Sequence, residues 1–367
     1  MKTWLRRGLL LAVLLAVLGF VIAASGVVPV KASGGHWRIT AWLLHFAMKR
    51  SVSTHSFFVK APPLDDERLL IRGAGHYDLG CRPCHGGIEY TPVIPRHMTP
   101  HPPHLVPLIG NWDPEELFHL VKHGVKFTGM PAWPVLHRDD EVWAVVAFMR
   151  RLPAMNAADY ARLARGEPRD GANGAAGPPT LSAAARRAIG ESCARCHGLD
   201  GLGRGGASPI IAGQKPGYLL AALDAYGRRA RYSGMMQSAV AAIDGATMKE
   251  LAGYYASLAP SRPAGAITDT GSAERGRLIV EQGISRKKVP PCAECHGPGA
   301  HRRNPYYPNL AGQHADYLIS QLKLFKAGLR GGSSYAHLME HVAPHLTEEQ
   351  MRDVAIYYEQ LKIDNEN

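Results

Sequence analysis

The chain has no cysteine to spare. Its six cysteines all fall in three copies of Cys-x-x-Cys-His: Cys81-Arg82-Pro83-Cys84-His85, Cys193-Ala194-Arg195-Cys196-His197 and Cys292-Ala293-Glu294-Cys295-His296. With none left over, a disulfide framework has nothing else to work with, and disulfides would not require the trailing histidine. Zinc usually gathers four ligands from neighbouring segments, whereas here each pair lies a domain's length from the next. Negative charge is also scarce: 31 acidic residues stand against 42 Lys and Arg, a formal net charge of +11. The basic residues are dispersed and no nucleic-acid fold motif accompanies them, so nucleic acid is excluded as a partner.

Each Cys-x-x-Cys-His, followed every time by glycine (Gly86, Gly198, Gly297), reads as a site for covalently bound haem c. The thiols Cys81, Cys84, Cys193, Cys196, Cys292 and Cys295 form thioethers to the haem vinyl groups. His85, His197 and His296 then sit beneath iron as proximal ligands. Three haems are expected, and their propionates make the holoprotein less basic than the sequence. At 367 residues the chain accommodates two or three domains. Small haem domains use it well, because haem supplies much of the apolar interior.

The amino terminus decides the compartment. Lys2, Arg6 and Arg7 precede an uncharged, mainly apolar stretch from Gly8 to Val30. About 20 apolar residues suffice to span a bilayer, and the positive flank stays cytoplasmic. Residues 1–32 are therefore expected to form a single-pass inner-membrane anchor with the haem domains in the periplasm. A cleaved signal peptide, with Val30-Lys31-Ala32 as a loose cleavage site, is the rival. Residues 33–63 form a juxtamembrane segment rich in Trp37, Trp42, Leu43, Leu44 and Phe46. It either lies at the membrane surface or packs on the first haem domain.

The first haem domain is expected at 64–164. A helix from Asp66 to Leu79 delivers the chain to Cys81. Asp113-Pro114-Glu115-Glu116 starts a second helix, with Asp113 as N-cap. Met130, in the Pro-bounded loop Gly129-Met130-Pro131, stands where a thioether ligand on the opposite haem face belongs. A helix over Asp139–Leu152 closes the domain. Residues 165–179 are rich in Gly and Pro and read as a flexible linker, which would let the remainder swing. Residues 180–260 and 261–367 are an internal repeat. Ile211-Ala212-Gly213-Gln214 with Tyr218-Leu219 matches Leu310-Ala311-Gly312-Gln313 with Tyr317-Leu318, and Tyr254-Tyr255 matches Tyr357-Tyr358. Met236 and Met339 precede the last helices by matched distances, which favours Met236 over Met235; Met235 is expected to pack.

On these motifs all three domains resemble class I c-type cytochromes, an all-α fold. Residues 180–365 resemble diheme cytochromes c with two tandem repeats, and 64–164 resembles a monohaem class I domain. The resemblance implies His85/Met130, His197/Met236 and His296/Met339 as iron-ligating pairs. It also implies three such domains in tandem behind the transmembrane helix. Arg204-Gly205-Gly206 and the Arg286-Lys287-Lys288 insertion depart from the pattern near haem edges. His119/His123 and His337/His341, at helical spacing, are rival metal or sixth ligands; a solvated face or a propionate partner suits them better.

The function expected is electron relay, not catalysis: from a quinol-oxidising complex or dehydrogenase towards a terminal oxidase. A cytochrome subunit of one periplasmic dehydrogenase complex is the variant reading. A haem enzyme such as a peroxidase would need an open sixth position, which three methionine candidates argue against.

Overall fold

A computed structural model describes residues 2–166, 177–261, 269–297 and 303–361. Among them every regular element is helical, and β pairing is limited to isolated bridges. Most of the linker 165–179, and Arg262 and Pro263 beyond Pro260, lie outside the described residues.

The first helix, Lys2–Ala24, is 23 residues long. Its span from Thr3 to Ala24 reaches a mean hydropathy of 2.5 with no buried share, which is long and apolar enough to cross a membrane. The next helix, Arg38–Ser56, divides its loyalties. Val52 and Ser56 near its end are buried, and the His55 ring stacks on His119 at 5.7 Å. Trp42, Leu43 and Phe46 nearer its start stay exposed.

Three helical units follow, one around each motif. In the first, Asp66 caps Glu67–His76 by accepting from the Arg68 N–H at 2.8 Å. The helix widens into a π turn over Tyr77–Cys81 and re-tightens into Arg82–His85. Asp113 and Glu116 form a capping box at the start of Pro114–His123. Asp139–Arg151 closes the unit, and Ala157–Arg165 adds a last helix. The second unit runs Ala183–Ala188, a π turn to Cys193, Pro216–Gly227, Gly234–Val240 and Gly245–Ser257. The third runs Thr270–Gln282, Ala315–Lys326, Ala336–Val342 and Glu348–Gln360.

In the first and third units the opening and closing helices cross at a glycine. A Cβ on Gly73 would lie 1.9 Å from the Ala144 carbonyl oxygen, and one on Gly276 would lie 2.1 Å from that of Asp353. Only a residue without a side chain allows backbones this close. Gly276→Val should therefore cost the third unit about 1–3 kcal/mol, read as earlier loss of helical signal in a denaturant titration. An unchanged midpoint would mean the helices have room to part.

The repeat motif Ala-Gly-Gln explains itself in the packing of the second unit on the third. Gln313 reaches across to Ile210, accepting from its N–H and donating to its carbonyl, both at 2.9 Å. Gln214 does the same to Asn309, at 2.7 and 2.9 Å. Two backbone bonds, Tyr232 N–H to Arg330 O and Gly332 N–H to Ala230 O, both 2.9 Å, join the same units.

The first unit is docked as well, and here the expected swing is corrected. Asp78 is buried without exposed side-chain surface and takes Arg195 of the second motif as ion partner. The Arg72 guanidinium donates to Ala207 O at 3.1 Å, and that of Arg138 to Tyr232 O at 2.6 Å. The apolar core of the first unit takes in Ala207, and Met235 packs against it. Buried charge with its partner on another unit makes separation costly, and the composition of a linker says nothing of that.

Candidate haem-attachment sites

The three motif histidines are held alike. His85 Nδ1 lies 3.0 Å from Pro103 O; His197 and His296 Nδ1 lie 2.9 Å from Pro209 O and Pro308 O. A carbonyl can only accept, so Nδ1 carries the hydrogen and Nε2 keeps its lone pair. Fixing the tautomer this way is how proteins orient an imidazole for a metal. Burial lowers the pKa of all three rings against the opposing pull of the proline carbonyl, so they stay neutral and fit for coordination.

The leading thiol of each motif has the opposite character to that of a redox dithiol. Burial pushes Cys81 and Cys193 up to about 12 and Cys292 up to about 11. Zinc sites and reactive dithiols need thiolates, and these surroundings disfavour them. The glycine after each histidine has a conformational reason. Gly86, Gly198 and Gly297 have φ of 74°, 76° and 80°, where a side chain is strained. Each ends its short helix by donating to the first carbonyl after the leading cysteine, at 2.9–3.1 Å.

The methionines are placed on separate elements after each motif. Met130 lies on the loop beyond Pro114–His123, its N–H donating to Thr128 Oγ1 at 3.1 Å and its carbonyl accepting from Val125. Met236 and Met339 lie on the short helices Gly234–Val240 and Ala336–Val342. One register unites them. The interval from Met130 to Arg138, from Met236 to Asp244 and from Met339 to Thr347 is the same, and each endpoint is the N-cap of a closing helix. Met235 breaks that register. So does Met98, which sequence reasoning passed over although its Cε would lie 2.1 Å from a Cβ on Gly129.

The rival histidines make other contacts. The His119 and His123 rings meet at a tilt with centroids 4.7 Å apart, and burial lowers the pKa of both. His337 and His341 turn Nδ1 to the carbonyls of Ser334 and His337, at 2.8 and 2.7 Å. Among the described residues no group of three or more His, Cys, Asp or Glu is placed to hold a metal ion.

Two buried cations lie between the second and third units. Arg231 donates to the Tyr218 and Tyr317 hydroxyls at 3.3 and 3.1 Å. Arg330 donates to Gln321 Oε1 and Gly331 O at 3.2 and 3.0 Å. Burial alone would raise the Tyr218 hydroxyl, but the two guanidinium groups hold it below its ordinary value. Of the departures, Arg204 sits where the second unit meets the first, donating to Arg162 O at 2.6 Å.

Two stretches of the chain match known families. Residues 69–149 match the family described as cytochrome C oxidase, cbb3-type, subunit III, and residues 274–362 match cytochrome c. Cytochrome c-552 of Acidithiobacillus ferridurans is 36% identical over 180 residues, 47% of this chain and 75% of that one. The chain belongs to the class I c-type cytochromes. The cytochrome is also 37% identical over 182 residues to a thiosulfate dehydrogenase electron acceptor of Thiomonas intermedia, covering 49% of this chain and 82% of that protein. A cytochrome c4 of Thiocapsa roseopersicina is 32% identical over 171 residues, 46% and 86% of the two chains. Such cytochrome domains bind haem c covalently, and the protein is an electron carrier rather than an enzyme.

Proposed function

We propose that this cytochrome is a triheme relay on the periplasmic side of the bacterial inner membrane, built from three tandem class I domains (64–164, 180–260, 261–367). The observation that carries this reading is the threefold recurrence of one arrangement. Each motif histidine is fixed by a proline carbonyl, and each is followed by a methionine in constant register with a closing helix. The axial pairs are then His85/Met130, His197/Met236 and His296/Met339. A His/Met haem supplies reversible one-electron chemistry with a raised potential. The chain's part is to hold both ligands still, exclude water and keep the imidazoles neutral. Arg231 and Arg330, both buried, would offer positive charge to haem propionates, since buried charge needs a counter-charge.

Lys2–Ala24 anchors the protein. Its length and apolarity and the basic residues Lys2, Arg6 and Arg7 in its first turns support a retained span over a cleaved signal. The cytochrome isolated from cells should sediment with membranes, and N-terminal sequencing should find the mature chain intact through Val30. A chain beginning near Ser33 would remove the anchor from this account.

The donor is a quinol-oxidising complex or a dehydrogenase, and the acceptor a terminal oxidase. The relatives in Thiomonas intermedia and Stutzerimonas stutzeri named as thiosulfate dehydrogenase electron acceptors favour a periplasmic dehydrogenase as donor. Purified thiosulfate dehydrogenase with thiosulfate should then reduce the haems, seen as growth of the ferrous absorption bands. No reduction would remove that donor and leave the quinol route.

A further inference from the structure

We infer that Glu141 of the first unit is a positioning residue for the methionine-bearing turn of the second, so that docking of the first unit sets the ligation of the second haem. The inference rests on the reading of Met236 as axial ligand. Glu141 lies on the closing helix of the first unit and is only 2% exposed. A carboxylate this deep must have every oxygen satisfied. Its partners within the first unit are Arg138, at 3.0 Å from Oε1, and the Trp133 indole N–H, at 3.2 Å from Oε2. The rest of its capacity is spent across the interface. Oε1 accepts from the Ser233 hydroxyl at 2.5 Å, and Oε2 accepts from the Gly234 and Met235 N–H groups at 2.7 and 3.4 Å.

These residues lead directly into the methionine. Ser233 is the N-cap of Gly234–Val240, and its hydroxyl oxygen accepts from the Met236 N–H at 3.2 Å. The Ser233 hydroxyl thus donates to Glu141 and accepts from Met236, one oxygen joining the two units. The matching helix of the third unit, Ala336–Val342, has Tyr335 at its N-cap and no side-chain bond there. The third helix manages without an outside carboxylate, whereas the second has its first two free N–H groups satisfied by one. Sterics seal the same point. A Cβ on Gly234 would lie 2.3 Å from Trp133 Nε1, and Met235 packs against the core of the first unit. The residues on either side of the turn are therefore fixed to the first unit, and Met236 takes its position from them.

Four variants of the full-length holoprotein test this: Glu141→Ala, Glu141→Gln, Ser233→Ala and Met236→Ala. The readouts are the near-infrared Met–ferric band, the haem midpoint potentials and carbon monoxide binding. Met236→Ala marks the second haem by removing one methionine contribution to the band. Glu141→Ala and Ser233→Ala should weaken that same contribution, shift that haem's potential alone and allow it fractional carbon monoxide binding. Glu141→Gln, which keeps an oxygen acceptor, should restore most of the band. If Glu141→Ala and Ser233→Ala leave the band and all potentials unchanged while Met236→Ala removes its contribution, Glu141 only glues the units and the inference is wrong. If Met236→Ala removes nothing, the ligand assignment itself has failed, and the inference falls with it.

Discussion

Met236→Ala is expected to leave its haem attached through Cys193 and Cys196 and to turn one iron high-spin or five-coordinate. His197 stays where it is, because Pro209 O holds its Nδ1 at 2.9 Å regardless of the opposite face. Loss of the thioether opens a sixth position, so the reduced variant should bind about one carbon monoxide per chain where the parent binds essentially none. Met235→Ala is the control. Met235 packs against the core of the first unit, so its truncation costs packing, at most about 2 kcal/mol for a partly buried side chain, and leaves the ligation intact. A carbon monoxide adduct in Met235→Ala instead would show that the register between the repeats is off by one residue.

Asp78→Ala is expected to be the most damaging single change outside the haem ligands. The carboxylate lies three residues before Cys81 and has no exposed side-chain surface. It receives Arg195 from the second motif, Arg165 at 3.1 Å, Arg82 at 3.5 Å and the Tyr160 hydroxyl at 2.9 Å. Removing it strands a nearly buried Arg195 beside the more exposed Arg82 and Arg165. Orphaning one side of a buried ion pair costs about 3–5 kcal/mol, and the half-exposed Arg165 contributes little of that. Calorimetry should show the first unit melting separately and well below the parent. A double-mutant cycle with Arg195→Ala isolates the share that joins the units. A coupling near zero would mean that docking rests on the Glu141 contacts, the Arg72, Arg138 and Arg204 bonds to backbone carbonyls and the apolar surface.

The motifs were legible because their chemistry is local. Cys-x-x-Cys-His declares its function within five residues, and Asp113 and Pro114 announce a helix start that the structure bears out with a capping box. The glycine after each histidine was visible as a pattern, but its reason, a positive φ at the end of a short helix, appears only in the backbone. Ala-Gly-Gln was likewise visible as a repeat, yet nothing in the sequence says that Gln214 and Gln313 reach into each other's units. The docking of the first unit was illegible for a physical reason. Asp78 and Glu141 look like ordinary helix charges, and their partners Arg195 and Ser233 lie far along the chain. Burial and long-range pairing leave no periodicity in sequence. The Gly-rich composition of 165–179 describes how a linker behaves when free, not whether the bodies it joins adhere.

The central claim is that three irons are each held by a histidine and a methionine. Near-infrared magnetic circular dichroism of the fully oxidised protein, normalised to chemically determined haem content, tests it most directly. The account predicts three haems per chain, three equivalents of the Met–ferric signal, and no high-spin or bis-histidine component. Two equivalents with a bis-histidine or high-spin third would contradict it.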